Sequence, residues 1–182
     1  MTDRVELAQV LVNAPREVAE PILLNLAEDE DFLVRANACD SLCNFASEKV
    51  VETLKRKLYD TNYLVRGYSV MSLGDIFCEN INLRNENVLY KAYQKEKSLW
   101  TKGCYWYAFC VLGNEKYVDD LLLLMNHRVY QFRCFAVNTL MNILEAESLT
   151  KATREKILSK MKAQEKLEKA KSVKSAFEKF FQ

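Results

Sequence analysis

The chain has 182 residues, 49% hydrophobic and 28% charged, with a formal net charge of +1. That length suits one domain with a full-sized core, and the composition is ordinary for a soluble globular protein. Near-neutral charge argues against a large phosphate-binding footprint, and no stretch approaches the roughly 18 uninterrupted apolar residues of a membrane span.

Only 4 Gly and 2 Pro occur, which favours helices joined by short polar connections over turn-rich β structure. The opening stretch MTDRVELAQV carries acids early and lacks a basic leader. The six cysteines form no CxxC pair and fall within apolar helical runs, as expected of reduced, buried thiols in a cytoplasmic protein. Charge is uneven: residues 1–60 hold 7 basic and 12 acidic side chains, whereas 151–182 hold 10 and 4. The basic end could attract nucleic acid or an acidic membrane, although mixed Lys and Glu there also suit a solvated helix face.

Taken in order, the chain repeats itself. A basic residue recurs at Arg4, Arg35, Arg66, Lys102, Arg133 and Lys174, at intervals of 31, 31, 36, 31 and 41 residues. Seven positions later stand Leu11, Leu42, Leu73, Phe109, Leu140 and Phe181, and three positions later Leu7, Ala38, Ser69, Tyr105, Ala136 and Phe177. Offsets of three, four and seven share one helix face. First helices are predicted near 3–12, 32–45, 63–78, 99–112, 129–145 and 172–181, with Asp31, Asn62 and Ser98 as N-caps. Second helices are predicted near 16–28, 47–59, 86–97, 115–126 and 149–163, with Ser47 capping the second of these. Pro21 means that the helix of 16–28 either starts near Ala19 or is kinked. The extra residues of the 36-residue interval fall in Glu79–Glu86.

Segments 16–43 and 47–74 share eight identities, among them Asp29/Asp60, Leu33/Leu64, Val34/Val65, Arg35/Arg66 and Leu42/Leu73. The D-x-x-x-VR-x-x-A-x-x-x-L pattern resembles HEAT repeats of the short, bacterial type over 1–145, and more loosely to 182. The resemblance implies an all-α fold, an α-α superhelix (HEAT-like α-solenoid) of about five helical hairpins plus a C-terminal capping helix. As a single domain over 1–182, it would divide into repeats near 1–28, 29–59, 60–97, 98–126 and 127–163, with a cap at 164–182. Such stacks bury apolar stripes that no single helix pair can bury alone.

A cation in the first turn of a helix lies at the unfavourable end of the macrodipole. Recurrence of Arg there implies a compensating partner. Six residues before the anchors lie Asp29, Asp60, Glu96 and Glu168, near the ends of the preceding helices. Pairing within each turn would offset both misplaced charges, so Asp29, Arg35, Asp60, Arg66 and Arg133 read as structural, like the Asp–Arg ladder of HEAT repeats. His127 occupies the acid position before Arg133 and reads as a replaced turn residue.

No phosphate loop, nucleophile elbow, HExxH or zinc spacing is present, so no catalytic residue, metal or cofactor is predicted. Acids at 28–31 and 119–120 suit solvated turns, and Cys39 with Cys43 suits core packing. Aromatic residues crowd 90–109. Tyr105, Trp106 and Phe109 align with core positions, whereas Tyr90, Lys91, Trp100 and Tyr107 fall off the core stripe. Exposed aromatics beside lysines suit peptide anchoring or base stacking. Lys55 and Arg56 would extend that strip if second helices line the concave face, as the resemblance implies.

The expected function is a non-catalytic scaffold that binds a protein or peptide through its concave face. Alternatives are a nucleic-acid-binding protein, like the HEAT-like alkylbase DNA glycosylases, or an accessory subunit of an enzyme complex, like the bilin lyases that carry short HEAT repeats.

Overall fold

The computed structural model describes residues 3–145 and 149–181, which contain eleven α-helices and no strand. Consecutive pairs are α1 (Asp3–Val10) with α2 (Arg16–Leu26), α3 (Phe32–Ser41) with α4 (Glu48–Lys57), and α5 (Tyr63–Glu79) with α6 (Glu86–Tyr93). They continue with α7 (Leu99–Val111) and α8 (Val118–Leu124), then α9 (Tyr130–Glu145) and α10 (Lys151–Leu167), before a last helix α11 (Lys171–Phe181). The architecture is all-α, with five hairpins and a terminal helix. Two compact units divide between Ala108 and Phe109, and each is described by itself.

Local chemistry sets the helix starts. Asp31 and Asn62 side chains accept the N–H of Leu33 at 2.9 Å and of Leu64 at 2.8 Å. Ser98 accepts from Thr101 N–H, Ser47 from Val50 N–H and Thr150 from Thr153 N–H. Each bond satisfies a donor that the first helical turn leaves unpaired. At the other end of α7, Gly113 at φ 95° lets its own N–H reach Cys110 O and that of Asn114 reach Phe109 O. These are the paired bonds of a Schellman motif.

Pro21 lies inside α2, not in its first turn. Val18 and Ala19 N–H both donate to Pro15 O, so the helix is already formed before Ala19. The extra residues of the third repeat form a short 3₁₀ turn at Ile81–Leu83 between α5 and α6.

In the first unit α1, α3 and α5 pack in succession, while α2 and α4 touch on the other side of the repeats. In the second, α9 is packed between α8, α10 and α11, and α8 touches α10. Leu11, Leu42, Leu73, Phe109 and Leu140 are all buried, as are Ala38, Ser69, Tyr105, Ala136 and Phe177. Leu7 departs from that pattern: Val5, Ala8 and Leu11 form the buried stripe of α1 and leave Leu7 exposed. The side chain of Phe181 lies outside the described residues. Cys78 is exposed, contrary to the expectation that every thiol is buried.

The anchor arginines do pair with carboxylates, but not with those of their own turn. Arg35 Nε and Nη2 reach the two oxygens of Asp60, 25 residues on, at 2.9 and 3.0 Å. Arg66 makes the same fork to Glu96 at 2.7 and 2.9 Å, and Arg133 to Glu168 at 2.8 Å for both bonds. Arg4 reaches Asp29 through Nη1 at 2.8 Å. The own turn supplies carbonyls instead: Nη1 of Arg35 donates to Asp29 O and Glu30 O, and Nη1 of Arg66 to Asp60 O and Thr61 O. Each carboxylate in turn accepts the N–H two residues later, at Asp31, Asn62, Ser98 and Ala170. One arginine therefore links two successive turns. At position 127 the histidine keeps half of this role, its Nδ1 accepting Val129 N–H at 3.1 Å.

Hydrogen bonds from Arg133 and from the backbone hold the Glu168 carboxyl down at about 2. Burial pushes Asp60 and Glu96 up, yet their arginines and turn N–H groups bring both below the usual carboxylate range. A depressed folded-state value means that this stability is complete above the unfolded carboxyl's titration, near pH 4, and disappears as pH falls towards 2.

Arg66→Ala leaves Glu96, whose side chain is 3% exposed, without its cation. A loss of roughly 3 kcal/mol is expected, against less than about 1 kcal/mol for Arg4→Ala, whose guanidinium is half exposed and makes a single bond to Asp29. Denaturant unfolding of both variants checks this; equal midpoints for Arg66→Ala and the parent chain would overturn the structural reading of the arginines.

Candidate functional site

The residues predicted to bind are divided by the fold. Lys55 and Arg56 lie on α4, and Tyr90 and Lys91 on α6, the second helices of consecutive repeats. Lys55 and Lys91 are equivalent, each five residues before its ladder acid. Lys91 is exposed and Tyr90 half-buried. Lys55 Nζ is 2.7 Å from Glu52, and Arg56 Nη2 is 3.0 Å from Glu28. Glu28 also holds the buried Lys57 at 2.6 Å. The basic strip on this surface is therefore partly neutralised by its own acids. Beside it, Lys95 Nζ lies 6.0 Å from the Tyr59 ring centroid, at the mouth of a cavity of about 250 Å³ whose wall holds the Arg66–Glu96 pair.

Trp100 and Tyr107 correct the expectation of exposed aromatics. Both belong to the first helix α7. Trp100 is half-buried, edge-on to Tyr63 and Tyr68 with centroids at 6.0 and 5.4 Å. Its indole lies over Gly67, where a Cβ would come within 2.1 Å of the ring. Tyr107 is 6% exposed, and its hydroxyl donates to Asp75 Oδ1 at 2.6 Å. Asp40, at the same offset of α3, is exposed, whereas in α7 this position is covered by α5.

The Asp75–Tyr107 pair is the most perturbed polar contact outside the ladder. Burial pushes the Asp75 carboxyl up to about 6; the Tyr107 hydrogen bond opposes this, and the charges of Glu79 and Asp40 add to it. Burial also pushes the thiols of Cys39, Cys43 and Cys110 up to about 12, which keeps them protonated and poorly nucleophilic at neutral pH. Among the described residues, no three His, Cys, Asp or Glu side chains come together as metal ligands, and no helix is long and apolar enough to cross a membrane.

A groove of about 520 Å³ lies in the second unit, between second helices α8 and α10. Asp119, Leu122, Leu123 and Asn126 line it from one side, and Lys160, Ala163, Gln164 and Leu167 from the other. Both sets follow the i, i+3, i+4, i+7 spacing of a single helix face. Among the described residues Leu123 is 76% exposed and Leu167 71%, values that only Ile81, at 71%, shares among the large apolar side chains. At the starting end, Lys156 Nζ meets Asp119 at 2.6 Å. The far end runs into a second hollow of about 280 Å³, which shares Asn126, Gln164 and Leu167 and adds His127, Arg128, Arg133, Glu168 and Lys169. Nothing in the amino-acid sequence marks this groove. The run Leu121–Leu124 reads as uniform core, yet Leu121, Leu122 and Leu124 are buried while Leu123 points out.

The family model for HEAT repeats matches residues 4–96, just over half of the chain. No curated protein matches. Among solved structures, the chain is similar to one in the CpcE–CpcF complex of phycocyanin lyase from Nostoc sp. PCC7120, at 18% identity and TM-score 0.42, covering 96% of this chain and 86% of that one. It is also similar to an engineered protein, at 15% identity and TM-score 0.48, covering 98% and 94%.

Asp75→Asn removes a charge that the fold disfavours. A raised folded-state value lowers stability as pH climbs from about 4 to about 6. The variant should therefore unfold later than the parent at pH 7, by about 1–2 kcal/mol, with the gap closing below pH 4. Thermal unfolding across that range checks the sign; a less stable variant at pH 7 contradicts it.

Proposed function

Because the chain belongs to the HEAT-repeat family, we propose that it is a non-catalytic scaffold that holds a protein or peptide on its second-helix surface. That surface is the concave face expected of stacked repeats, with repeats dividing near 28, 59, 97, 126 and 163. The groove between α8 and α10 is the observation that carries this reading. Two leucines more than two-thirds exposed flank its apolar floor, and polar residues stand at both ends. Leaving such side chains in water forgoes about 2 kcal/mol each, which a partner recovers by covering them. A rimmed apolar hollow is the usual form of a protein-interaction surface.

The double variant Leu123→Ser, Leu167→Ser alters only exposed side chains, so its stability should stay within about 0.5 kcal/mol of the parent. Peptides selected from a random library on the full chain should bind the variant at least about tenfold more weakly. Selected peptides that bind both proteins equally would overturn the reading. So would tight binding of random duplex DNA with a steep salt dependence and no response to the leucines, which would place nucleic acid ahead of protein.

A further inference from the structure

The groove gives its occupant a direction. Its starting end is electrically closed, because Lys156 and Asp119 neutralise each other at 2.6 Å. Its far end is not. There the Arg133 guanidinium is fully committed: Nε and Nη2 donate to Glu168, and Nη1 to the carbonyls of His127 and Arg128. Glu168 is committed as well, accepting from the N–H groups of Lys169 and Ala170 besides Arg133. That pair cancels itself and leaves Arg128 and Lys169, both exposed, as the uncancelled charges of the hollow. Among the described residues, neither side chain has an acidic partner within salt-bridge distance. The carboxyl ends of α8 and α10 lie at the same end and together present about one negative charge. Two cations exceed that.

We propose that the α8–α10 groove takes a short amphipathic helix from a protein partner, with two large apolar side chains one turn apart and an acidic side chain about one turn beyond them, at the Arg128/Lys169 end. The dimensions agree. Each wall runs over eight residues, 119–126 and 160–167, the first ending two residues past α8, a span of roughly 10 Å that matches two turns of a guest helix. A volume of about 520 Å³ falls within the range of ligand-holding clefts. Leu123 and Leu167 project from opposite walls, so the guest's apolar side chains enter between them, with Leu122, Met125 and Ala163 beneath. A carboxylate then reaches the two uncancelled cations of that end, while Lys160 on the α10 wall adds positive charge along the trough. The wider unit favours the same sign of guest: residues 109–182 carry 13 basic and 9 acidic side chains. This inference rests on the scaffold reading and adds the chemistry of the partner to it.

The test uses the full chain and a fluorescein-labelled synthetic helical peptide carrying Leu at positions i and i+4 and Glu at i+8. Fluorescence anisotropy compares it with a Glu→Lys and a double Leu→Ser version. The Glu peptide should bind at least about fivefold more tightly than the Lys peptide at low salt, with the difference shrinking at high salt. The Arg128→Glu, Lys169→Glu variant should reverse the preference between Glu and Lys peptides, a response that mere destabilisation cannot produce. Leu123→Ser with Leu167→Ser should lose both. If the Glu and Lys peptides bind the parent chain equally while the leucine variant loses both, the acidic end is wrong and the scaffold reading stands. If no peptide binds, or the leucine variant binds as well as the parent, both fall. A concentration-dependent dimer broken by Leu123→Ser would assign the groove to a second copy of the chain. Duplex DNA binding abolished by Arg128→Glu, Lys169→Glu and indifferent to the leucines would assign the cations to phosphate. Either result overturns the proposal.

Discussion

The guanidinium of Arg66 donates in two directions: two bonds run to the carboxylate of Glu96 and two to the carbonyls of Asp60 and Thr61. Arg35 and Arg133 repeat that geometry in their own turns. An α-helix ends with unpaired carbonyls and begins with unpaired N–H groups, so every turn between a second helix and the next first helix carries polar groups that packing would strand. The arginine satisfies the carbonyls of its own turn, and the acid it grips satisfies N–H groups of the following turn. Only a planar fork with five donors can do both. A lysine cannot, and Lys102 is where the series of arginines is interrupted. Because the bond crosses from one repeat to the next, it also fixes their register, which apolar contact alone specifies loosely.

Between the rungs the helices are brought together by small side chains opposite large ones. Ala36, Ala38, Gly67, Ser69 and Ser72 are buried on α3 and α5, and Ser72 Oγ donates to Cys39 O on the neighbouring helix at 2.8 Å. Against the glycine of α5 stands Trp100, and α7 fills the space that smaller neighbours leave with Tyr105, Trp106 and Phe109. Trp106 Nε1 finds Tyr93 Oη at 3.0 Å, which lets an indole be buried without stranding its donor. The aromatic crowding that suggested a binding strip is therefore in good part a packing solution. Deleting Cβ at Gly67 is what makes room for the indole.

How much of this was legible in the sequence follows from what a one-dimensional spacing can carry. The period of 31 residues locates the anchors, and cap residues such as Asp31, Asn62 and Ser47 locate helix starts, because both are local. The identity of each ladder partner is not local. Asp29 lies six residues before Arg35 and seemed its natural mate, yet the stack brings Asp60 to Arg35 and Arg4 to Asp29. Tyr107 looked outward for a similar reason: its offset faces water in α3 but is covered in α7 by Asp75 of α5. The groove was hidden more completely. Four consecutive leucines have no periodicity to read, and only the placement of α10 reveals that Leu123 alone among them has nothing above it.

The ladder and the groove meet in one turn. His127 stands where the other turns carry an acid, so the turn before α9 holds an imidazole acceptor in place of a carboxylate, still capping Val129 N–H. Had an acid stood there, its charge would lie in the same hollow as Arg128 and Lys169 and cancel part of their field. Arg133 meanwhile is spent on Glu168 and on two carbonyls, and Glu168 on Arg133 and two N–H groups, so the rung that holds the unit together is electrically silent at the groove. The repeat grammar thus clears the end of the trough of competing charge without contributing any of its own. Selectivity there falls to two cations outside the signature, Arg128 and Lys169, whose substitution leaves the rung bonds in place.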